Sequence, residues 1–424
     1  MNIQLLLTGN ELMSGDTIDS NSALIAQQLK NIGAAIARKI TIGDDLNTLV
    51  TEIKLISLQA DVLIINGGLG PTVDDLTAQA IAIATNTELV LHANALKHLT
   101  AWCNQRNMVL NRANEKQAIL PKACQIIENP VGSAVGFSVT LNQCVIYCTP
   151  GVPSELAIML PHIMADVKQQ LPDSQHINIS RWQVFGIGES TLQQMISEQL
   201  HNWPETIELG FRAAMPLLEV KLSTYTQQAF QDQPIWANKL TQLLGGHIIG
   251  ENSCSLPETI IALLTQKRQK IAVAESCTGG LIASQLTSIA GSSTVFEGGF
   301  VSYSNLMKQT MLNVDEQILT QWGAVSEQTA LAMLTGCLQI THANYAIAVT
   351  GIAGPSGGTV DKPVGIVWLA WGSKQLKQTC CLYIPAPRLH FQRYVAAIGL
   401  DLIRRVLLNI KEPPLYLSQR AFKK

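Results

Sequence analysis

The strongest constraint on this chain is a pattern found at both of its ends: a short apolar run, a glycine-rich turn, then a stretch with helical periodicity. In the first third, Ile3–Leu7 reads as a strand ending in Thr8-Gly9, and Asn21–Ile32 as an amphipathic helix stopped by Gly33. Ile36–Ile42 follows as a strand, Thr48–Leu58 as a helix, and Asp61–Ile65 as a strand that runs straight into Asn66-Gly67-Gly68-Leu69-Gly70-Pro71. Asp74–Thr85 is expected as the next helix, and Cys144–Tyr147 as a later strand ending in Thr149-Pro150-Gly151. Strand, loop and helix in that order predict a parallel or mixed sheet covered by helices, with ligands at the carboxyl ends of the strands.

The pattern lapses across residues 176–250. Ile177–Phe185, Ile207–Phe211 and Leu217–Ser223 read as strands and Ser190–Leu200 as a helix, a small α+β unit with little polar chemistry. Glu251–Pro257 reads as a linker or domain entry. Alternation then resumes with a helix over Ile260–Lys267, a strand over Ile271–Ala274 and a helix over Leu281–Ile289. Strands are expected at Phe300–Tyr303, Tyr345–Val349 and Val364–Trp371, and helices around Glu327–Leu338 and through Leu389–Leu408. The expected fold class is therefore α/β: two α/β domains joined by a small α+β middle domain, at residues 1–168, 169–252 and 253–424. That division suits 424 residues, since domains run to roughly 100–200 residues each.

Composition narrows the function classes. Hydrophobic residues make up 47% of the chain and charged ones 14%, enough for full cores and too little charge for a disordered chain. Lys+Arg 29 against Asp+Glu 31 leaves a net charge of −2, and aromatics are only 5%. Nucleic-acid binders carry basic faces and stacking aromatics, so direct nucleic-acid binding is not expected. The nine cysteines show no CxxC spacing, which points to free thiols in a reducing compartment. No 18-residue apolar run occurs and Met1–Asn10 carries no basic residue, so neither a membrane span nor a signal peptide is expected, and a cytoplasmic location is.

Three clusters carry chemistry. In the first, Gly67-Gly68-Leu69-Gly70-Pro71-Thr72 leads into Asp74-Asp75, with Glu11 and Glu155 just past two other strand ends. Glycines there let backbone approach a phosphate, and paired acids suit a divalent cation. An aspartate at a helix start is, on its own, more often a cap. In the second, Glu275-Ser276-Cys277-Thr278-Gly279-Gly280 passes from strand to helix, and the amides from Cys277 to Gly280 are candidates for an oxyanion site. Ser276 needs a base; no histidine stands in a triad position, but Tyr303 and Lys308 follow, and a desolvated lysine can serve. Ser276 and Thr278 as mere helix caps with Lys308 in solvent is the competing reading, and Cys277 is the competing nucleophile. The third cluster is the loop Thr350-Gly351-Ile352-Ala353-Gly354-Pro355, suited to phosphate or ring contact, or simply a surface turn. Ser326 is expected to cap the helix after it, and vicinal Cys380-Cys381 to be core.

The residues Gly67–Thr77 and Pro150–Glu155 resemble the N-terminal domain of the competence/damage-inducible protein A (CinA) family, itself similar to molybdopterin-binding domains. Ala274–Gly280, Gly298–Lys308, Gly323–Ser326 and Thr350–Gly365 resemble that family's C-terminal nicotinamide mononucleotide amidase domain, and Phe185–Ser190 also matches in the connecting unit. The resemblance implies hydrolysis of the nicotinamide mononucleotide carboxamide to nicotinic acid mononucleotide and ammonia, without a cofactor. Ser276 would be the nucleophile, Lys308 its base and Tyr303 an assisting group, with Glu275, Thr278, Gly279, Gly280, Thr350, Gly351, Ala353 and Gly354 binding substrate. It further implies a metal-dependent ADP-ribose pyrophosphatase in the N-terminal domain, with Gly68, Gly70, Thr72, Asp74, Asp75, Glu11 and Glu155 at the phosphates. Asp74, Asp75 and Glu155 would sit nearest a divalent cation, and a homodimer is expected. The family reads Gly-Thr-Glu where this chain has Gly9-Asn10-Glu11, which removes a hydroxyl. Two other classes stand beside this reading: a non-catalytic pterin- or nucleotide-binding module, and an accessory of DNA uptake or damage.

Overall fold

A computed structural model describes residues 1–171 and 177–422. The chain divides into two compact units, Met1–Ile177 and Asn178–Lys424.

In the first unit, β1 (Ile3–Thr8), β2 (Ile36–Ile42), β3 (Val62–Asn66), β6 (Gln125–Ile127), β7 (Gly136–Leu141) and β8 (Cys144–Thr149) form one sheet in the order β2-β1-β3-β8-β7-β6; β4 (Leu89–Leu91) and β5 (Ile119–Pro121) make a separate antiparallel pair. The first four strands are parallel and the last two antiparallel, so the sheet is mixed. β1 and β3 are buried throughout, as expected of central strands covered on both faces. Helix Asn21–Asn31 and helix Pro153–Gln170 pack on one face, and Leu46–Ser57 with Thr77–Thr85 on the other. Register sets Asn66 beside Leu7 and Thr149, so the loops after β1, β3 and β8 leave the sheet at one edge.

In the second unit, β9 (Asn178–Val184), β10 (Ile207–Ala214), β11 (Leu217–Thr224) and β12 (Ile248–Glu251) form an antiparallel sheet ordered β10-β11-β9-β12. β13 (Ile271–Glu275), β14 (Phe296–Val301), β15 (Tyr345–Gly351), β16 (Ile366–Gly372) and β17 (Lys377–Tyr383) form a mixed sheet ordered β14-β13-β15-β16-β17, parallel only across its first three strands. Helix Arg388–Leu407 lies against it; Phe391, Val395 and Ile398 enter one core with Val273, Ile347 and Leu369. The α/β class with an α+β middle portion is thus the architecture.

Several expected boundaries move. The helix placed at Asp74–Thr85 begins at Thr77, because Asp75 accepts hydrogen bonds from Thr72 and closes a turn ahead of it. The strand expected at Phe300–Tyr303 is Phe296–Val301, its start hidden by Gly298 and Gly299. Glu251–Pro257 is no free linker: Ser255 caps helix Leu256–Lys267 and Glu258 returns a bond to the Ser255 amide at 2.8 Å. All nine cysteines are free, and six are buried. Among the described residues no helix is long and apolar enough to cross a membrane.

Candidate active site

The second cluster forms at the end of β13. Its five residues are buried, and the chain leaves Glu275 into a tight turn, with the Gly279 amide donating to the Ser276 carbonyl at 3.1 Å. Helix Leu281–Thr287 starts only after Gly280, whose left-handed φ of 95° favours glycine. Neither Ser276 nor Thr278 is therefore a helix cap. The cap is Glu275: its carboxylate, fully buried, accepts from the amides of Gly280 (3.1 Å), Ile282 (3.1 Å) and Ala283 (2.8 Å). This corrects the expectation that Glu275 binds substrate, since the helix start consumes its oxygens. It also narrows the oxyanion donors, because the Gly279 and Gly280 amides are engaged and only those of Cys277 and Thr278 remain.

Lys308 reaches Ser276 from helix Asn305–Leu312, which Ser304 caps at the Met307 amide. Its side chain is 1% exposed, and Nζ lies 3.1 Å from Ser276 Oγ, 2.9 Å from the Ser302 carbonyl and 3.2 Å from that of Tyr303. Among the described residues no carboxylate pairs with it, and burial pulls its ammonium below the ordinary lysine value. The solvated-lysine reading is thereby excluded. Ser276 itself is 7% exposed. Burial pushes the Cys277 thiol up to about 12, so it stays protonated and is a poor rival nucleophile.

The surrounding residues divide by use. Thr278 is buried and its hydroxyl has no partner. Thr350 is also buried, and its hydroxyl donates to the Ala324 carbonyl at 2.7 Å, which fixes a loop and leaves its oxygen only as an acceptor. Gly351, Ala353 and Gly354 follow it at the end of β15. Tyr303 is 59% exposed, and its hydroxyl accepts from Arg388 at 3.0 Å, while Arg388 also donates to the Gly354 carbonyl at 2.8 Å. Gln392, one turn further, donates to the Cys277 carbonyl at 2.9 Å. The sequence reading missed Arg388 and Gln392; the signal was Pro385-Ala386-Pro387 between a strand and a long helix, which marks a helix start. Ser326 caps its helix at the Thr329 amide as expected.

The first cluster assembles separately, within the first unit. Glu11, Gly68, Gly70, Thr72, Asp74, Asp75 and Glu155 all line one cavity of about 480 Å³. Gly67 has φ 112°, and a side chain there would run into the Thr8 carbonyl oxygen, so only glycine lets the loop fold back over β1. Asn66 ties the loops together, accepting from Asn21 at 2.8 Å and donating to the Pro150 carbonyl at 2.7 Å. Asn10, at the position of the family's threonine, accepts from the Asp44 amide at 3.2 Å while its own amide donates to Asp44 at 3.0 Å. The lining holds six carboxylates (Glu11, Asp19, Asp44, Asp74, Asp75 and Glu155) and no lysine or arginine. The Thr72 hydroxyl holds the Asp74 carboxyl below its ordinary value, and Asn129 donates to Glu155 at 2.7 Å. Among the described residues no three His, Cys, Asp or Glu side chains come close enough to hold a metal ion by themselves.

A buried serine–lysine pair in one α/β portion and an acidic, glycine-looped cavity in another define a multidomain α/β protein with two separate sites. A family model described as the CinA C-terminal domain matches residues 253–407, and one described as a probable molybdopterin binding domain matches residues 4–169. A CinA-like protein of Colwellia psychrerythraea is 57% identical over 99% of this chain and 98% of its own, and one of Shewanella denitrificans is 39% identical over 96% of each. The chain belongs to the CinA family. Among solved structures, a competence/damage inducible protein of Agrobacterium tumefaciens is 44% identical, covering 36% of this chain and 93% of its own with a TM-score of 0.35.

Proposed function

We propose that the C-terminal portion hydrolyses the carboxamide of nicotinamide mononucleotide. The observation that carries this reading is Lys308, buried without a counter-charge and in hydrogen-bond reach of Ser276. Neutral Lys308 accepts the Ser276 proton as Oγ attacks the amide carbon. The amides of Cys277 and Thr278 are the donors left in this turn for the oxyanion, those of Gly279 and Gly280 being engaged. Collapse breaks the C–N bond, Lys308 returns its proton to the departing ammonia, and water then cleaves the ester to nicotinic acid mononucleotide. Tyr303 and Arg388 are exposed and bonded to each other, and the guanidinium, also bonded to the Gly354 carbonyl, would meet the nucleotide phosphate.

For the N-terminal cavity we propose ADP-ribose pyrophosphate cleavage. Six lining carboxylates outnumber the two nearby cations, Lys39 paired to Asp19 and Lys116 bonded to the Thr72 carbonyl, so a bare pyrophosphate would be repelled, and all-oxygen donors suit a hard divalent cation. Asp74, Asp75 and Glu155 line the cavity without converging on one point, so the substrate's own oxygens would complete the cation's shell beside one or two of them, and bound there it would neutralise phosphate charge.

The test is ammonia release from nicotinamide mononucleotide. Ser276→Ala should abolish it, and Lys308→Arg, which keeps the charge but cannot act as base, should lower it by about 10²–10⁴-fold. In the wild type kcat/KM should rise with pH until the lowered Lys308 value is passed and then level, because only the neutral amine is competent. Turnover surviving Ser276→Ala would overturn the nucleophile; ligand binding with no wild-type turnover would leave a binding module.

A further inference from the structure

Behind the glycine loop of the first unit lies a second hollow of about 210 Å³, which shares Gly68, Leu69, Gly70, Asp75 and Gln117 with the acidic cavity. Its remaining wall is mostly apolar, with Ala78, Leu89, Ile119, Leu120 and Val135, and Gln79 and Lys116 are its polar members. Gln117 stands at the junction on a single 3₁₀ turn, Lys116–Ala118. It is 7% exposed, yet its side-chain carbonyl oxygen has no hydrogen-bond partner. A buried acceptor left unpaired is costly, and one that lines a hollow is placed to receive a donor from whatever enters it.

We infer that this hollow receives a flat heterocycle bearing an N–H donor, and that Gln117 reads that donor. The inference rests on the reading of the acidic cavity as a phosphate–sugar site, and deepens it by assigning the base. The two hollows meet at Gly68–Gly70, so one ligand can lay its phosphates and sugar on the polar side and its ring on the apolar side. Leu69 and Val135 offer the ring dispersion contact and Gln117 supplies direction. A pocket built to pair with an N–H discriminates strongly against an analogue that presents an acceptor there. Adenine carries such a group at its 6-amino position; hypoxanthine carries a carbonyl oxygen instead. A pterin amino group has the same chemistry, and the test separates the two sources.

Binding is measured by calorimetry on the full chain, with ADP-ribose, IDP-ribose and pterin-6-carboxylate as probes and Mg²⁺ present. The wild type should favour ADP-ribose over IDP-ribose by at least about tenfold, the worth of one paired donor. Gln117→Met, of similar volume and without the unpaired oxygen, should bring that ratio near one. Leu89→Trp, at a position 39% exposed, fills the hollow without entering the core; it should weaken ADP-ribose and leave ribose 5-phosphate unchanged. Pterin binding that is lost in Gln117→Met, without ADP-ribose binding, would keep the donor rule and overturn the adenine assignment. A ratio that persists in Gln117→Met, a preference for IDP-ribose, or binding of no probe would overturn the inference. ADP-ribose binding with the expected ratio but no hydrolysis would sink only the pyrophosphatase reading.

Discussion

Thr278 shows how a functional group is recognised by what it does not do. Nearly every buried hydroxyl near it is bonded, as Thr350 is to Ala324, whereas the Thr278 hydroxyl, two residues past Ser276, has no partner. A group that only stabilised the fold would not be left so. Thr278→Val should therefore leave the melting temperature unchanged or raise it, while kcat/KM for nicotinamide mononucleotide falls by about tenfold, one neutral hydrogen bond's worth. A thermal melt beside steady-state kinetics checks both halves. The reverse pattern, lost stability with intact turnover, would make Thr278 a packing residue.

At the scale of elements, helix Leu281–Thr287 is seven residues long and exists because a strand residue reaches round to hold its first turn. Glu275→Gln keeps the shape but loses the charge and turns an NH₂ toward backbone donors. It should cost about 1–3 kcal/mol by denaturant unfolding and disorder the Ser276 turn along with the helix. That role was invisible in the sequence, where Glu275 adjoining Ser276 looked like a ligand. The strand–turn–helix alternation was legible because central strands such as Val62–Asn66 are apolar on both faces. The antiparallel Gly136–Leu141 and Gln125–Ile127 were missed: the second is a three-residue edge strand, and the first, though inside the sheet, opens on glycine and interrupts its apolar residues with Ser138 and Thr140. Asp74 and Asp75 line one cavity with Glu11 and Glu155 but precede the helix they were expected to open, since side-chain turns such as Thr72–Asp75 compete with helix in ways periodicity does not register. Ser276 and Lys308 stood out because both motifs are unusual locally; Arg388, eighty residues beyond Lys308, had only its helix start to announce it.

At the scale of the whole second unit, one carboxylate joins the antiparallel sheet to the last long helix. Asp401, fully buried, accepts from Arg404 at 2.6 and 2.9 Å, from Arg405 at 2.8 Å and from the Tyr416 hydroxyl at 2.8 Å. The two guanidiniums then donate to the carbonyls of Gly246 and Ile248, beside and within β12. Asp401→Asn would strand two buried cations against one neutral amide. It should destabilise the unit by about 3–5 kcal/mol, and calorimetry should show the first unit's transition unmoved. A loss below 1 kcal/mol would mean water reaches the network. The free thiols give this division of the chain another meaning. Cys103, Cys124, Cys144 and Cys148 lie buried in the first unit, Cys277 and Cys337 in the second, and burial raises most of them, Cys337 to about 12. An alkylating reagent can meet these sulfurs only when the matrix around them opens, so each half carries its own built-in timer of breathing, readable peptide by peptide.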